Sequence, residues 1–341
     1  MNIRFEECPN GCGFYVLYDS CKKRGCPQCQ EAENLIWLHY KKQILLPGNH
    51  IHLVFKLPVD LVPLWLYNKR EVSNCLFRGV KKSFEKYRKQ DGIKRGILLT
   101  FHSNGKGLSY HPHIHCLVTG GGFNETQKWV EKSFPYTAIE AGYRKQVKKD
   151  LITLVKSEDF IHPPEMDCLK KIHTLDNKSY RIYKSQVYKT GEGVLAYLSK
   201  KIKSGPITED NIVDYNNEEV TLKYREGKKE EVIRLKTKDF IWRYLNHIPP
   251  KGFLVIRNLG LYSNRKIKEI KEYKKEQGIK IDESKWEPPK RVCPKCGKQV
   301  VPVDDLDKKE IKRLFFEKLC LKKWPDYDDF LCVLWRVLLK T

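Results

Sequence analysis

The 341-residue chain contains no run of about 18 apolar residues, and its first residues lack a basic stretch followed by an apolar one. Neither a membrane span nor a secretory leader is therefore expected, which points to a cytoplasmic protein. There is no internal repeat and no low-complexity tract. Acidic residues are in deficit, with 42 Asp plus Glu against 65 Lys plus Arg. The net charge of +23 is spread along most of the length and points to a polyanionic partner, while saying nothing about fold. No Ser or Cys nucleophile motif is present.

Cysteine, by contrast, is plentiful. In a reducing compartment twelve cysteines with pairs at two- or three-residue spacing are metal knuckles rather than disulfides. Cys8-Pro-Asn-Gly-Cys12 and Cys26-Pro-Gln-Cys29 lie about a dozen residues apart, a pattern that suits a structural zinc held by four thiolates. Cys21 is a fifth thiol that could replace one of the four. Cys293 and Cys296 make half of a second site, which Cys320 or Cys332 could complete. Residues 1 to about 32 have too little apolar periodicity to fold without such a staple.

Periodicity sketches the rest. A helix is expected over 33–46, a buried strand over His50–Leu57 ended by Pro58, and a helical stripe over 70–90 through Val72, Cys75, Leu76, Gly79, Phe84 and Tyr87. Gly96–Phe101 and Tyr110–Thr119 are strands that should pair antiparallel around an Asn-Gly turn. Residues 125–180 alternate helical patches and charged loops without a clear assignment. A short amphipathic helix covers Gly193–Ile202, a hairpin 219–236, a helix Lys238–Leu245, and a charged helix and linker 264–290.

Within the strand at 110–119, side chains two apart share a face, so His111, His113 and His115 lie on one side, and Pro112, Ile114, Cys116 and Val118 on the other. His113 and His115 can aim at one cation, and His102, at the end of the partner strand, is the nearest third ligand. Open coordination positions on such an ion would polarise a phosphate oxygen. His50 and His52 form a similar pair, but the Leu-Val-Phe that follows favours packing. Tyr197, on the helix Val194–Ile202 and followed by Lys203, is the candidate nucleophile. A tyrosine packed against the sheet is the alternative.

In order and spacing, five segments resemble the transposases of the insertion sequence ninety-one family, rolling-circle enzymes of the HUH nuclease superfamily. They are Ser20–Gln30, His52–Pro58, Leu66–Lys69, His111–Gly122, and Pro249–Arg257 with Gly260, Asn264 and Arg265. The resemblance covers most of the chain. It implies an α+β fold: an antiparallel-sheet HUH endonuclease core flanked by helices, with a small amino-terminal zinc-binding module. It also implies magnesium or manganese at His113 and His115, and a phosphotyrosine formed by Tyr197 on the 5′ side of cut single-stranded DNA.

Two departures from the family stand out: Lys201 holds the place of a second tyrosine, and Gly25 stands where a histidine precedes the second knuckle. The expected organisation is a zinc module over 1–45 with Cys8, Cys12, Cys26 and Cys29 as ligands, a catalytic domain over 46–268, and a charged linker with a small module over 269–341. Lys200, Lys201, Lys203, Lys251, Arg257 and Arg265 are the expected DNA contacts. The expected partner is single-stranded DNA at element ends and target, with no membrane, and an oligomer is compatible with this. Association with the nucleoid would follow. A replication initiator of the same superfamily, or an inactive zinc-dependent DNA-binding protein, are the competing readings.

Overall fold

Apolar residues at every second position draw the middle of the chain into a sheet, and apolar residues three or four apart draw its flanks into helices. The computed structural model describes residues 3–18, 25–175, 177–202, 206–207, 211–226, 229–287 and 290–303. Its strands are β1 (Ile3–Glu7), β2 (Phe14–Tyr18), β3 (His50–Lys56), β4 (Gly96–Asn104), β5 (Tyr110–Thr119), β6 (Gly121–Phe123), β7 (Trp129–Glu131), β8 (Ile182–Tyr188), β9 (Ile212–Tyr215), β10 (Glu219–Glu226), β11 (Lys229–Lys236), β12 (Ile256–Gly260) and β13 (Val301–Pro302). Its helices are α1 (Pro27–Gln43), α2 (Val62–Tyr67), α3 (Lys69–Asp91), α4 (Tyr136–Val155), α5 (Cys168–Thr174), α6 (Gly191–Ile202), α7 (Thr237–His247) and α8 (Ile267–Glu276).

The chain divides into two units, one formed by the described residues up to Cys29 together with those from Glu287 onward, the other by Gln30–Trp286. This corrects the expected three-part division. The carboxy-terminal knuckle joins the amino-terminal module instead of standing alone, and the charged helix α8 belongs to the larger unit.

In the larger unit five strands pair antiparallel in the order β12-β4-β5-β3-β8. The central strand β5 aligns His113 with His102 of β4 and Lys56 of β3, and His115 with Thr100 and Val54. Directly opposed residues share a face, so every second residue of the three strands belongs to one layer. One layer, with Leu53, Phe55, Leu99, Phe101, Ile114 and Cys116, is buried against Val72, Leu76 and Val80 of α3 and Ile139, Tyr143 and Val147 of α4. The two helices approach closely at Gly79, where an added Cβ would lie 2.5 Å from Val147 Cγ2.

The opposite layer is mixed. At one end Leu98 and Leu117 pack with Val194, Leu195 and Leu198 of α6; at the other end the layer is histidine. A second sheet, ordered β11-β10-β9, follows α6 in the chain. The antiparallel pairing around the Asn-Gly turn and the hairpin at 219–236 form as expected. Helix α4 fills the stretch left unassigned, with Ile139, Tyr143, Val147, Leu151 and Val155 buried at intervals of four.

Two histidines are buried as neutral struts. The Nδ1–H of His50 donates to Gly48 O (3.0 Å) and its Nε2 accepts from the Tyr262 hydroxyl (2.6 Å). His247 bridges Ser103 Oγ and Leu108 O, both at 3.1 Å. Burial pushes both down to about 4 from the ordinary value of 6.5. The neutral form is favoured in the fold, so this stabilisation is full above pH 6.5 and is lost as pH falls towards 4. Stability to urea should drop between pH 6.5 and 5 by about 1.4 kcal/mol per pH unit per histidine. His50→Gln with His247→Gln should flatten that slope; an unchanged slope would refute the assignment.

Candidate metal centres and nucleic-acid cleft

The register of β4 against β5 decides the histidine layer. His102, His113 and His115 bring ligand nitrogens within 4.8 Å of one another, and all three are under a tenth exposed. The Nδ1–H of His113 donates to His111 O (2.5 Å), which leaves its Nε2 lone pair facing His115. The Nε2 atoms of His113 and His115 lie 3.1 Å apart. On the far side of the ring, His115 Nδ1 is 2.9 Å from His52 Nε2.

With one His115 tautomer the two facing nitrogens share a hydrogen bond; with the other, His115 Nδ1–H donates to His52 and both Nε2 lone pairs converge on a cation. Imidazole nitrogens on adjacent corners of an octahedron with bonds of about 2.1 Å stand about 3.0 Å apart, against about 3.4 Å in a tetrahedron. The observed 3.1 Å lies between these values, so the residues present fit a shared cation.

These rings form the floor of a cleft of about 740 Å³. Its walls carry Lys56, Lys106, Lys223 and Arg225 with Tyr183 and Tyr224, and no carboxylate among the described lining residues. Tyr183 is 59 % exposed, with Lys56 Nζ 6.0 Å from its ring centre. Four cations and two aromatic rings around the histidines suit a polyanion such as a nucleic acid, whose phosphates ammonium and guanidinium groups can take.

Sequence reasoning missed these wall residues. The basic residues of β10 lie on a hairpin distant in sequence, and the turn carrying Lys106 is close to the histidines only because β4 and β5 pair. It also read His52 as packing, and only the β3–β5 register shows that this ring touches His115.

Tyr197 lies on α6, whose buried positions rest on the sheet layer that the histidines continue. The side chains of Tyr197, Lys200 and Lys201 lie outside the described atoms, and Lys203 outside the described residues. Lys251 is exposed. Arg257 departs from the expected DNA contact: its guanidinium lies 3.9 Å from the Phe77 ring centre and 2.5 Å from Asn74 Oδ1. Burial and then Arg78 lower its pKa, so the packing holds it. Arg265 is exposed, and it lines a recess other than the histidine cleft.

In the smaller unit β1 pairs with both β2 and β13. That sheet sets two cysteine turns side by side. Cys8, Cys12, Cys293 and Cys296 place their sulfurs within 4.8 Å of one another, with 3.4 Å between Cys8 and Cys296. Four thiolates so close repel each other unless a cation lies among them. Cys12 is pushed up to about 12, chiefly by Cys296, whereas the Tyr15 hydroxyl, donating at 3.0 Å, holds Cys293 down at about 6.

The set fits tetrahedral zinc. It corrects the expected grouping of Cys8 and Cys12 with the second amino-terminal pair: among the described cysteines, they are joined by Cys293 and Cys296. Pairing of β1 with β13 closes the long loop, whose entropic cost grows only with the logarithm of its length. Cys26 is buried, the Cys29 side chain lies outside the described atoms, and Cys21, Cys320 and Cys332 lie outside the described residues.

One unit carries a histidine cluster under a basic cleft and the other a four-cysteine cluster, a combination that suits a protein that handles nucleic acid. The family described as "Putative transposase" matches residues 96–269, and the one described as "Transposase zinc-binding domain" matches residues 1–57. The chain therefore belongs to the insertion sequence ninety-one family of transposases.

It is 29 % identical to the transposase for insertion sequence element IS801 of Pseudomonas savastanoi pv. phaseolicola, over 78 % of this chain and 67 % of that one. It is 26 % identical to "Putative transposase y4qJ" of Sinorhizobium fredii, over 73 % and 67 %. A solved origin-recognition/nickase domain of human bocavirus non-structural protein 1 aligns over 65 % of this chain and 83 % of that one, at 13 % identity and a TM-score of 0.22. Among the described residues no helix is long and apolar enough to cross a membrane.

Replacing Cys293 and Cys296 together by serine should lower the zinc content of the purified protein by one ion per chain, measured by elemental mass spectrometry. Unchanged stoichiometry would refute the four-cysteine assignment.

Proposed function

We propose that this transposase cuts and rejoins single-stranded DNA at the ends of a mobile element through a covalent 5′-phosphotyrosine on Tyr197, the chemistry of rolling-circle transposition. The observation that carries the reading is the convergence of His102, His113 and His115 on the floor of a basic cleft free of described carboxylates, in the sheet layer on which α6 packs. A magnesium or manganese ion held by the three histidines would polarise a non-bridging oxygen of the scissile phosphate.

Lys56, Lys106, Lys223 and Arg225 hold the flanking phosphates, and Tyr183 and Tyr224 stack bases. The Tyr197 oxygen, losing its proton, attacks phosphorus; the bond from phosphorus to the 3′ oxygen breaks, and that oxygen takes up a proton. With Lys201 in place of a second tyrosine, the phosphotyrosine is resolved by a 3′ hydroxyl. The exposed Tyr183 in the cleft wall is the rival nucleophile.

His52 is a positioning residue in this scheme. By accepting from His115 Nδ1–H it selects the tautomer whose Nε2 faces the ion.

Labelled single-stranded DNA from an element end, incubated with manganese, should give a covalent adduct on a denaturing gel. Tyr197→Phe should abolish it and Tyr183→Phe should leave it; the reverse pattern moves the nucleophile to Tyr183. His113→Ala and His115→Ala should slow adduct formation at least ~100-fold. His52→Ala should weaken manganese binding by about 10–100-fold in a titration followed by electron paramagnetic resonance. Unchanged affinity would reduce His52 to packing.

A further inference from the structure

A second basic recess, of about 580 Å³, lies between α3 and the edge strand β12 with the turn that follows it. Its floor includes Ile97 and Leu259, which are directly paired and lie in the helix-covered layer. It is therefore on the sheet face opposite the histidines. Ile97 also stands five residues before His102 on β4, about 17 Å along the strand.

The walls present Lys81, Arg88, Lys94, Arg265 and Lys266, with Arg95 beneath them and Glu85 as the one carboxylate among the described lining residues. Arg95 is committed to Asp91 at 2.6 Å, both side chains being under 5 % exposed. Glu85 is shared between Lys81 (3.7 Å) and Lys82 (3.1 Å). Lys94 is lowered in pKa by burial first and then by its cationic neighbours Lys266 and Arg88, against the opposing charge of Glu269, to which Lys266 is paired. Like charges crowded this way are stabilised by a polyanion.

The recess is held by the backbone. Gly260 has φ +58, and a Cβ there would stand 1.9 Å from Arg95 O. Only glycine lets the end of β12 fold down so that the Leu261 N–H donates to that carbonyl at 3.0 Å, and this starts the turn that carries Arg265 and Lys266 to the rim.

The two basic recesses differ in one respect that separates their ligands. The histidine cleft offers Tyr183 and Tyr224 as stacking surfaces, whereas the aromatic residue lining the second recess, Phe84, is 6 % exposed. Unpaired bases need ring faces, while duplex DNA presents only a row of phosphates to such a wall. We propose that the groove between α3 and β12 binds the phosphate backbone of duplex DNA, as a site separate from the cleft that cuts the single strand. This rests on the reading above only in taking the cleft as the place of cutting. A strand transferase must hold two DNA segments at once, and the groove supplies the second hold.

The test uses the full chain, a fluorescent 20-base-pair duplex and anisotropy at several salt concentrations. Lys81→Gln with Arg88→Gln, both exposed, should weaken duplex binding about tenfold or more. The slope of log affinity against log salt should become shallower by about two. Single-strand adduct formation should not change. Lys145→Gln with Lys149→Gln, exposed on α4, is the charge-matched control and should leave duplex affinity in place.

The proposal is overturned if the wild type does not bind the duplex, if the groove pair matches wild type, or if the control pair weakens binding equally. Loss of the adduct along with duplex binding, at an unchanged melting temperature, would merge the two sites and overturn their separation. Intact duplex binding by a wild type that forms no adduct would count against Tyr197 chemistry and leave the groove standing.

Discussion

The pairing register of β5 between β4 and β3 is the constraint from which the rest of the larger unit follows. A slip of one residue would turn Ile114 and Cys116 out of the helix-covered core and drive His113 and His115 into it. The apolar layer resists such a slip through every side chain it buries. The energy that holds the sheet together thus holds three imidazoles converged with little further expenditure. A His-x-His segment is common enough in strands. What distinguishes this one is that the opposite face is wholly buried, so its polar face cannot exchange with it.

Much of this is legible in the sequence because it is local. Alternation in 110–119 identifies a two-faced strand, and the apolar spacing of Val194, Leu195 and Leu198 identifies the helix that bears Tyr197. Helix α4 carries an equally regular signal at intervals of four, but Lys and Arg between its buried positions hide it in a stretch that reads as charged loops. What stays hidden depends on pairing between distant segments. His52 sits in an apolar run and looks like core until the register sets it against His115. Arg257 looks like a phosphate ligand until Phe77 is found under its guanidinium. Lys223 and Arg225 become part of the cleft only when the hairpin that bears them covers the turn at Lys106.

The cysteines show the same limit more sharply. Two pairs near the amino terminus have the spacing of a complete site, and a third pair near the other end has nearly the same spacing. Nothing local tells which pairs combine. The β1–β13 pairing does, by bringing two turns together that share no sequence neighbourhood. Both ligand clusters are therefore consequences of strand register, one in each unit.

The cysteine cluster has a consequence in time as well as in space. Cys8 and Cys296 are 288 positions apart, so a ribosome adding about 5–20 residues per second leaves the first pair half-liganded for about 15–60 s. A product cut short by a frameshift or premature stop before Cys293 never receives its second pair. Closure of the zinc site thus waits on translation through Cys296: a chain that stops before Cys293 is left with loose thiols near its leading end.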